Sequence, residues 1–182
     1  MIFIMSATQA IWAITLAFTI YAGWIDWRVR RIPNWLTMPG LLLGIGLHTS
    51  IAGWHGALMS IEGVGLALVI LLPLVLMRAL GAGDWKLMGA VGAFLGPWMF
   101  LLVLLASIFV SGFMAMALMI QNKRVKQTLL NIIVLIKGFF AFGLRPNPEI
   151  SLDNPTLLKL PFGVATAIGT AIMFVVFQWG LY

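Results

Sequence analysis

Three long stretches of the chain contain no charged side chain: residues 1–25, 32–61 and 87–122. Each is long enough for at least one membrane-spanning helix of about 20 residues. The stretches are continuously apolar, whereas a transmembrane β-barrel needs short segments of alternating polarity. The whole chain is 62% hydrophobic and only 9% charged, which is more apolar surface than a soluble core of 182 residues can bury. The sequence therefore predicts an all-α, polytopic membrane protein.

Helix length then divides these stretches into spans. As a single helix, residues 87–122 would be about 54 Å long, well beyond a hydrocarbon core of about 30 Å. We therefore expect a turn at Gly96 and Pro97. The same reasoning, applied to the whole chain, predicts about six transmembrane helices, at roughly 6–25, 35–54, 57–79, 84–97, 98–120 and 160–182.

Alternation of the spans places the segments 26–34, 78–86 and 121–159 on one side of the membrane. All eleven basic residues lie there: Arg28, Arg30, Arg31, Arg78, Lys86, Lys123, Arg124, Lys126, Lys137, Arg145 and Lys159. The positive-inside rule makes that side cytoplasmic and places both termini outside. Residues 125–143 are apolar but contain two of these lysines, so we expect a helix in the cytoplasmic interface and not a seventh span.

The composition disfavours several kinds of protein and site. Cysteine is absent and the two histidines, His48 and His55, stand alone, so neither disulfides nor a metal site is expected. The net charge of +6 suits anionic lipid better than nucleic acid in so apolar a chain. The first basic residue, Arg28, follows the first apolar stretch, which indicates a retained helix and not a cleaved signal peptide. No internal repeat is evident, which disfavours an inverted-repeat transporter.

Only five acidic residues are present. Glu62, near the outer end of the third predicted span, and Glu149 and Asp153, in a polar loop with several prolines, are explained as solvated side chains. Asp26 ends the first predicted span and Asp84 begins the fourth. Both therefore lie at the cytoplasmic membrane face, and two carboxylates from different helices can meet there.

Each of these two aspartates also has a structural explanation. Asp84 follows two glycines and fits an N-cap of the fourth helix, and Asp26 fits an interfacial ion pair with Arg28 or Arg30. The fourth predicted span, however, covers only about 21 Å as a helix, too little to cross the core by itself. Asp84 is then expected to lie below the lipid surface, where an acid is costly unless it lines a wet cavity, and this favours a functional role.

Three stretches of the chain resemble one known family. "DWRVRRIPN" at 26–34 and "GAGDWKLMGAVGAFLGP" at 81–97 are similar to the two signature regions of the prepilin peptidases, membrane aspartic proteases with a GxGD motif. "KLPFGVATAIG" at 159–169 is similar to a third recurring stretch of that family. The three occur in the right order on the topology predicted above, which makes the combined resemblance specific.

The resemblance implies that Asp26 and Asp84 are the catalytic aspartates. It also implies that further residues of the two motifs support them, namely Gly81, Gly83, Lys86, Ile32, Pro33 and Asn34. Two neighbouring carboxylates cannot both ionise cheaply, so one keeps a proton. The ionised carboxylate takes a proton from the attacking water, and the protonated one stabilises the oxyanion. This scheme requires no metal and no cofactor.

The implied substrates are precursors of type IV pilins or pseudopilins. The implied enzyme is a multi-pass protein of the inner membrane that contacts the lipid bilayer and the pilus-assembly machinery, with its oligomeric state left open. Longer members carry an added cytoplasmic domain with paired CxxC motifs, associated with N-methylation. This chain has no cysteine and a short first loop, so it resembles the short form associated with tight-adherence (Flp-type) pili. We therefore expect a single peptidase domain over 1–182, without methyltransferase activity or S-adenosylmethionine.

Three other functions fit parts of the pattern. A preflagellin-type signal peptidase shares the GxGD chemistry, but the Ile-Pro-Asn stretch and the short first loop favour the pilin enzyme. A small proton-coupled transporter could use Asp84 as its carrier acid, although both acids lie at one face and not at the midplane. A non-catalytic membrane scaffold needs neither acid, and Asp84→Asn would leave its function intact.

Overall fold

The computed structural model describes residues 7–123, 125–126, 128–130, 133–134 and 160–180. The regular structure of these residues is helical, in four main elements: α1 (Ala7–Val29), α2 (Asn34–Leu76), α3 (Ala82–Gln121) and α4 (Phe162–Gln178). The all-α prediction is therefore confirmed for the described part of the chain. By length and composition, α1, α2 and α3 are each long and apolar enough to cross a membrane, and α4 is a shorter apolar helix.

Both of the long helices, α2 and α3, are interrupted. In α2 the dihedral angles leave the helical region at Ala52 (φ −126°, ψ 16°) and Gly53 (φ 57°, ψ −136°). In α3 they do so at Gly96 (φ 72°, ψ 176°), directly before Pro97. The interruptions fall at glycines because residues with a side chain rarely adopt a positive φ. The predicted turn at Gly96 and Pro97 is confirmed, whereas the interruption of α2 comes slightly before the predicted gap between residues 54 and 57.

The chain folds back at the interruption of α2. Gly44, which precedes the interruption, packs against Ala93 of α3, and Gly63, which follows it, packs against Gly92. The two halves of α2 thus lie side by side along the first half of α3 and run in opposite directions.

The chain folds back at Gly96 in the same way. The sulfur of Met88, in the first half of α3, lies 3.6 Å from the hydroxyl oxygen of Thr166 on α4. Ser107, in the second half, packs against Gly169, also on α4. Both halves of α3 therefore contact α4. The number of segments that cross a membrane and the side on which the termini lie remain predictions.

The outer surface of the bundle is apolar. Large hydrophobic side chains are exposed on each main helix, among them Ile20 on α1, Val69 on α2, Phe113 on α3 and Val175 on α4. Soluble monomers rarely expose so much contiguous apolar surface. Helices that are apolar on all sides are typical of membrane spans.

The first half of α3 is the centre of the bundle. Every residue from Leu87 to Gly96 is buried, so this segment is packed on all sides. Its close packing depends on small residues, since the backbones of Gly63 and Gly92 meet and a Cβ atom on either would overlap the carbonyl group of the other. Asp84 lies in the same helix, in the turn before Leu87, so this closely packed segment anchors the backbone that carries it.

Side chains of α2 bind the end of this central segment. A helix that stops at Gly96 leaves its last carbonyl groups without intrahelical partners. Ser60 Oγ donates to the Ala93 carbonyl oxygen at 2.6 Å, and His48 Nε2 lies 2.7 Å from the Phe94 carbonyl oxygen. The two side chains come from opposite sides of the α2 interruption, so they tie both halves of α2 to the same helix end.

Most of the segment between α3 and α4 lies outside the described residues. Of the predicted interfacial helix over 125–143, residues 125–126, 128–130 and 133–134 are described, and these are helical. The predicted loop that contains Glu149 and Asp153 lies wholly outside the described residues.

Candidate active site

Asp26 lies on the buried face of α1, close to the end of the helix. Thr15, Thr19 and Ala22 precede it on this face at spacings of three or four residues, and each is 0% exposed. The Asp26 side chain itself is 5% exposed. The helix continues past the predicted end at residue 25 to Val29, so Asp26 is held within a regular helix and not in a loop.

Asp84 lies in the first turn of α3. The N-cap of this helix is Gly81 (φ −70°, ψ 143°), and not Asp84 as the sequence suggests. The Asp84 carboxylate accepts a hydrogen bond from the backbone N–H of Gly81, which is the back-reaching half of a capping box. A Cβ atom on Gly81 would lie 2.9 Å from Asp84 Oδ2, so the carboxylate occupies the space that a side chain at position 81 would need.

The two aspartates lie at the same end of the bundle. Their carboxylates are within electrostatic reach of each other. The helices that carry them are joined through Ile32, which is 7% exposed and packs with Ala22 of α1 and Leu87 of α3. A Cβ atom on Gly83 would lie 2.9 Å from the Ile32 carbonyl oxygen. The glycine next to Asp84 is therefore the point at which α3 meets the α1–α2 connection.

The start of α4 also contacts Asp26. The backbone N–H of Gly163 donates to Asp26 Oδ2 at 2.8 Å. Gly163 lies in the stretch 159–169 that resembles the family's third region, but the sequence assigns it no role in the site. The local signal is Pro161, since a proline here marks a helix start and so predicts free N–H groups just after it. Which acceptor those groups find depends on tertiary structure.

The remaining motif residues surround the pair. Lys86 Nζ donates to Asn34 Oδ1 at 2.9 Å and so joins the first turns of α3 and α2. Pro33 is the N-cap of α2, with extended dihedral angles (φ −77°, ψ 148°). All six predicted supporting residues thus lie at the start of α3 or between the end of α1 and the first turn of α2. Their contribution to activity remains a prediction.

Arginines at the end of α1 lie next to the site. The Arg28 guanidinium carbon is 5.2 Å from the centroid of the Trp24 ring, and that of Arg30 is 6.0 Å from the Trp27 ring. Both distances are in the range of cation–π contacts. The charge of Arg30 also acts on Asp26. The exposed tryptophan rings therefore hold two positive charges beside the candidate site.

The described residues supply carboxyl groups and backbone donors to this site. Within the part of the chain that the structure describes, no three His, Cys, Asp or Glu side chains are grouped as a protein metal site would need. Glu62 is exposed on α2 and is next to Gly63, which packs on Gly92 and on Gly96, where the central segment ends. Glu62 is therefore separate from the pair.

A known family matches the segment that contains both aspartates. The model of the type IV leader peptidase family matches residues 13–116, more than half of the chain. The chain belongs to the type IV leader peptidase family. The matched segment includes all six predicted supporting residues and ends before α4. A search of curated proteins and a search of solved structures each found no match.

Membership of the type IV leader peptidase family confirms the resemblance to prepilin peptidases. The chain is thus a protease of the leader-peptidase kind, and the family implies prepilin substrates. Together with its long apolar helices, this makes it a membrane protein.

Proposed function

We propose that this leader peptidase is an aspartic endopeptidase that removes the leader peptide from Flp-type prepilins or pseudopilins at the cytoplasmic face of the inner membrane. Asp26 and Asp84 are its catalytic pair, and the chain over 1–182 is one multi-pass peptidase domain. The observation that carries the proposal is that Asp26 and Asp84, on α1 and α3 and distant in sequence, lie at one end of the bundle. Ile32 there approaches both Gly83, next to Asp84, and Gly163, the hydrogen-bond partner of Asp26.

The surroundings of the pair suit acid–base chemistry. Asp26 accepts the N–H of Gly163 and Asp84 accepts the N–H of Gly81, each at a helix N-terminus, where backbone dipoles favour negative charge. The two neighbouring carboxylates repel each other when both are ionised. The pair is therefore suited to hold one negative charge and one proton, as a coupled unit.

With one proton on the pair, hydrolysis needs no further group. The ionised carboxylate takes a proton from water as the water oxygen bonds to the scissile carbonyl carbon, and the protonated carboxyl gives its proton to the carbonyl oxygen. The tetrahedral intermediate then carries two hydroxyl groups. As the C–N bond breaks, the amine nitrogen takes a proton from one carboxyl and the other carboxylate removes a hydroxyl proton. The pair ends with one proton, as it began.

The connection between α1 and α2 favours the short, Flp-type form of the enzyme. α1 ends at Val29 and α2 begins at Asn34, so only residues 30–33 join them. Such a connection leaves no room for an added cytoplasmic domain between these helices. Methylation of the new amino terminus is therefore outside the proposed activity.

A groove at the same end of the bundle as the pair offers a place for the substrate chain. It has a volume of about 620 Å³ and lies between the end of α1 and the start of α2. Trp24 and Trp35 line it with apolar surface, and Asn34 supplies a polar group. Ile32 also lines the groove and approaches Gly83, next to Asp84. Neither aspartate lines the groove, so a peptide bound there would be separated from Asp84 by Ile32 and Gly83.

Co-expression of the chain with candidate precursors tests the substrate class. We expect an Flp-type prepilin to show the electrophoretic shift of leader removal, and a preflagellin expressed at the same level to remain full-length. Sequencing of the new amino terminus identifies the cleaved bond. Cleavage of the preflagellin alone would assign the chain to the preflagellin peptidases, and cleavage of neither precursor would contradict the proposal.

A further inference from the structure

We propose that α4 takes part in the catalytic site, because the backbone N–H of Gly163 fixes the orientation of the Asp26 carboxylate. This inference rests on the proposed function, since it assumes that Asp26 takes part in hydrolysis. α4 lies beyond the residues that the family model matches. Gly163 acts through Asp26 and is a positioning residue.

The N–H of Gly163 has no acceptor within its own helix. Gly163 is the second residue of α4, and the first N–H groups of a helix lack intrahelical partners. The N-cap, Pro161, makes no side-chain hydrogen bond that would replace them. Asp26 fills this role from another helix, with its Oδ2 at 2.8 Å from the Gly163 nitrogen. Both residues are buried, so water is poorly placed to substitute for either partner.

Only glycine lets this N–H approach the carboxylate so closely. A Cβ atom at position 163 would lie 2.9 Å from Asp26 Cβ, 3.0 Å from Asp26 Oδ2 and 3.1 Å from Ile32 Cδ1. Contacts of this length to carbon atoms are repulsive, so a side chain would push Asp26 away from its observed position. The hydrogen bond from position 163 to Asp26 therefore requires a residue without a side chain at that position.

A second glycine holds α4 against α1. Gly23 lies one turn before Asp26, and a Cβ atom there would lie 3.0 Å from the Gly163 carbonyl oxygen and 3.1 Å from Ala167 Cβ. The carbonyl group of Gly163 thus touches α1 at Gly23, and its N–H bonds to α1 at Asp26. Two contacts to the same peptide region leave α4 little freedom to move relative to the carboxylate.

Holding one carboxylate oxygen has a consequence for the reaction. With Oδ2 bonded to Gly163, the carboxylate cannot rotate freely, and Oδ1 is the oxygen left to exchange a proton with water. Catalysis depends steeply on the placement of reacting groups. If the free energy of a hydrogen bond to a charged group is lost from the transition state, the rate falls about 10- to 100-fold. The effect should fall on kcat and not on KM, because the N–H faces Asp26 and not the substrate.

Exchange of a backbone amide for an ester tests the bond without added bulk. Glycolic acid incorporated at position 163 replaces the N–H by an oxygen and keeps the shape of glycine. 2-Hydroxyisovaleric acid at position 164 is the matched control, since it removes the Val164 N–H, which bonds to the Pro161 carbonyl oxygen at 3.1 Å. It leaves the bond to Asp26 in place. kcat and KM for prepilin cleavage are measured with the full chain in mixed micelles.

We expect the ester at position 163 to lower kcat about 10- to 100-fold with KM unchanged. The ester at position 164 should change kcat less than about twofold. Equal effects of the two esters, an effect on KM alone, or full activity of the ester at position 163 would each overturn the positioning proposal.

A conventional variant gives an independent measurement. Gly163→Ala keeps the N–H but displaces Asp26, and it should show a similar loss of kcat while it accumulates in the membrane. Gly65→Ala, whose Cβ atom meets nothing within 4 Å, should cleave normally. Wild-type kcat in Gly163→Ala would also overturn the proposal. Cleavage by the unmodified chain, abolished in Asp26→Asn, establishes the proposed function separately, so failure of the positioning proposal can be told from failure of the function.

Discussion

Asp26 and Asp84 share one feature of their surroundings, since each carboxylate accepts a backbone N–H at the start of a helix. The donors are both glycines, Gly163 and Gly81. A Cβ atom on Gly163 would lie 3.0 Å from Asp26 Oδ2, and a Cβ atom on Gly81 would lie 2.9 Å from Asp84 Oδ2. Burial of a carboxylate is costly unless it is hydrogen-bonded. These donors offset part of that cost, and they need glycine because the carboxylate lies directly over the backbone.

Gly81→Ala is expected to lower the rate of prepilin cleavage about 10- to 100-fold, because its Cβ atom would displace the Asp84 carboxylate and catalysis tolerates little misplacement. The initial rate is measured per amount of protein that accumulates in the membrane. Gly46→Ala is the control, since its Cβ atom meets nothing within 4 Å, and it should cleave like the wild type. An unchanged rate in Gly81→Ala would show that Asp84 does not need its observed position.

At the scale of the helices, the interruptions of α2 and α3 decide where the site lies. Gly53 and Gly96 are at the end of the bundle opposite to the aspartates, where His48 and Ser60 bind the last carbonyl groups of the central segment. Each helix returns from there towards the other end. The end of α1 and the starts of α2, α3 and α4 therefore meet around the aspartates, through the contacts of Ile32 and the bond from Gly163.

The close packing of α2 on the central segment predicts a sharp difference between two glycines of α2. Gly63→Ala should destabilise the protein by about 1–3 kcal/mol, because its Cβ atom would overlap the backbone of Gly92. Gly65→Ala, two positions further on, meets open space and should leave stability unchanged or slightly raised, since alanine favours helix. The midpoint of thermal unfolding in detergent distinguishes them. Equal midpoints would contradict the contact between Gly63 and Gly92.

At the scale of the whole molecule, an apolar exterior is combined with a basic end. Arg28 lies in the last turn of α1, Arg30 and Arg31 follow that helix, Arg78 follows α2, and Lys86 lies near the start of α3. All five are therefore at the end that carries the aspartates. The positive-inside rule then predicts that this end faces the cytoplasm. A precursor with a cytoplasmic leader would meet the proposed catalytic pair on that side.

Cysteine labelling tests this orientation, because the native chain contains no thiol. A membrane-impermeant reagent should modify Gln121→Cys only from the cytoplasmic side and His55→Cys only from the outside. Both positions are exposed. Reversed labelling would place the aspartates on the external face, and labelling of both cysteines from one side would contradict the way in which α2 and α3 fold back.

Much of the helical architecture is predictable from the sequence, because uncharged stretches can only be helical in lipid and helix length requires the turn at Gly96. The turn in α2 is less predictable. Gly53 and Gly56 both lie near the predicted gap, and only the structure shows that Gly56 packs against the backbone of His48 while Gly53 adopts the positive φ. Such a choice depends on tertiary packing, which local sequence patterns do not contain.

The candidate site, like the fold, is only partly predictable from the sequence. The proximity of Asp26 and Asp84 is predictable, because one ends and the other begins a predicted span at the same predicted membrane face. The bond from Gly163 to Asp26 joins residues near opposite ends of the chain. This bond depends on the packing of α4 against α1 at Gly23. The sequence around Gly23 is apolar and does not indicate which helix packs there.

Whether Asp26 and Asp84 form the catalytic pair is tested most directly by replacing each carboxylate with the near-isosteric amide. Asp26→Asn and Asp84→Asn keep an oxygen that can accept the N–H of Gly163 or Gly81 but cannot exchange the proton. We expect each to lower kcat for prepilin cleavage by the purified chain about 100- to 10,000-fold. Glu62→Gln, at an exposed acid on α2, should retain wild-type activity. Substantial cleavage by either asparagine variant, with normal accumulation in the membrane, would contradict the assignment of that residue to the pair.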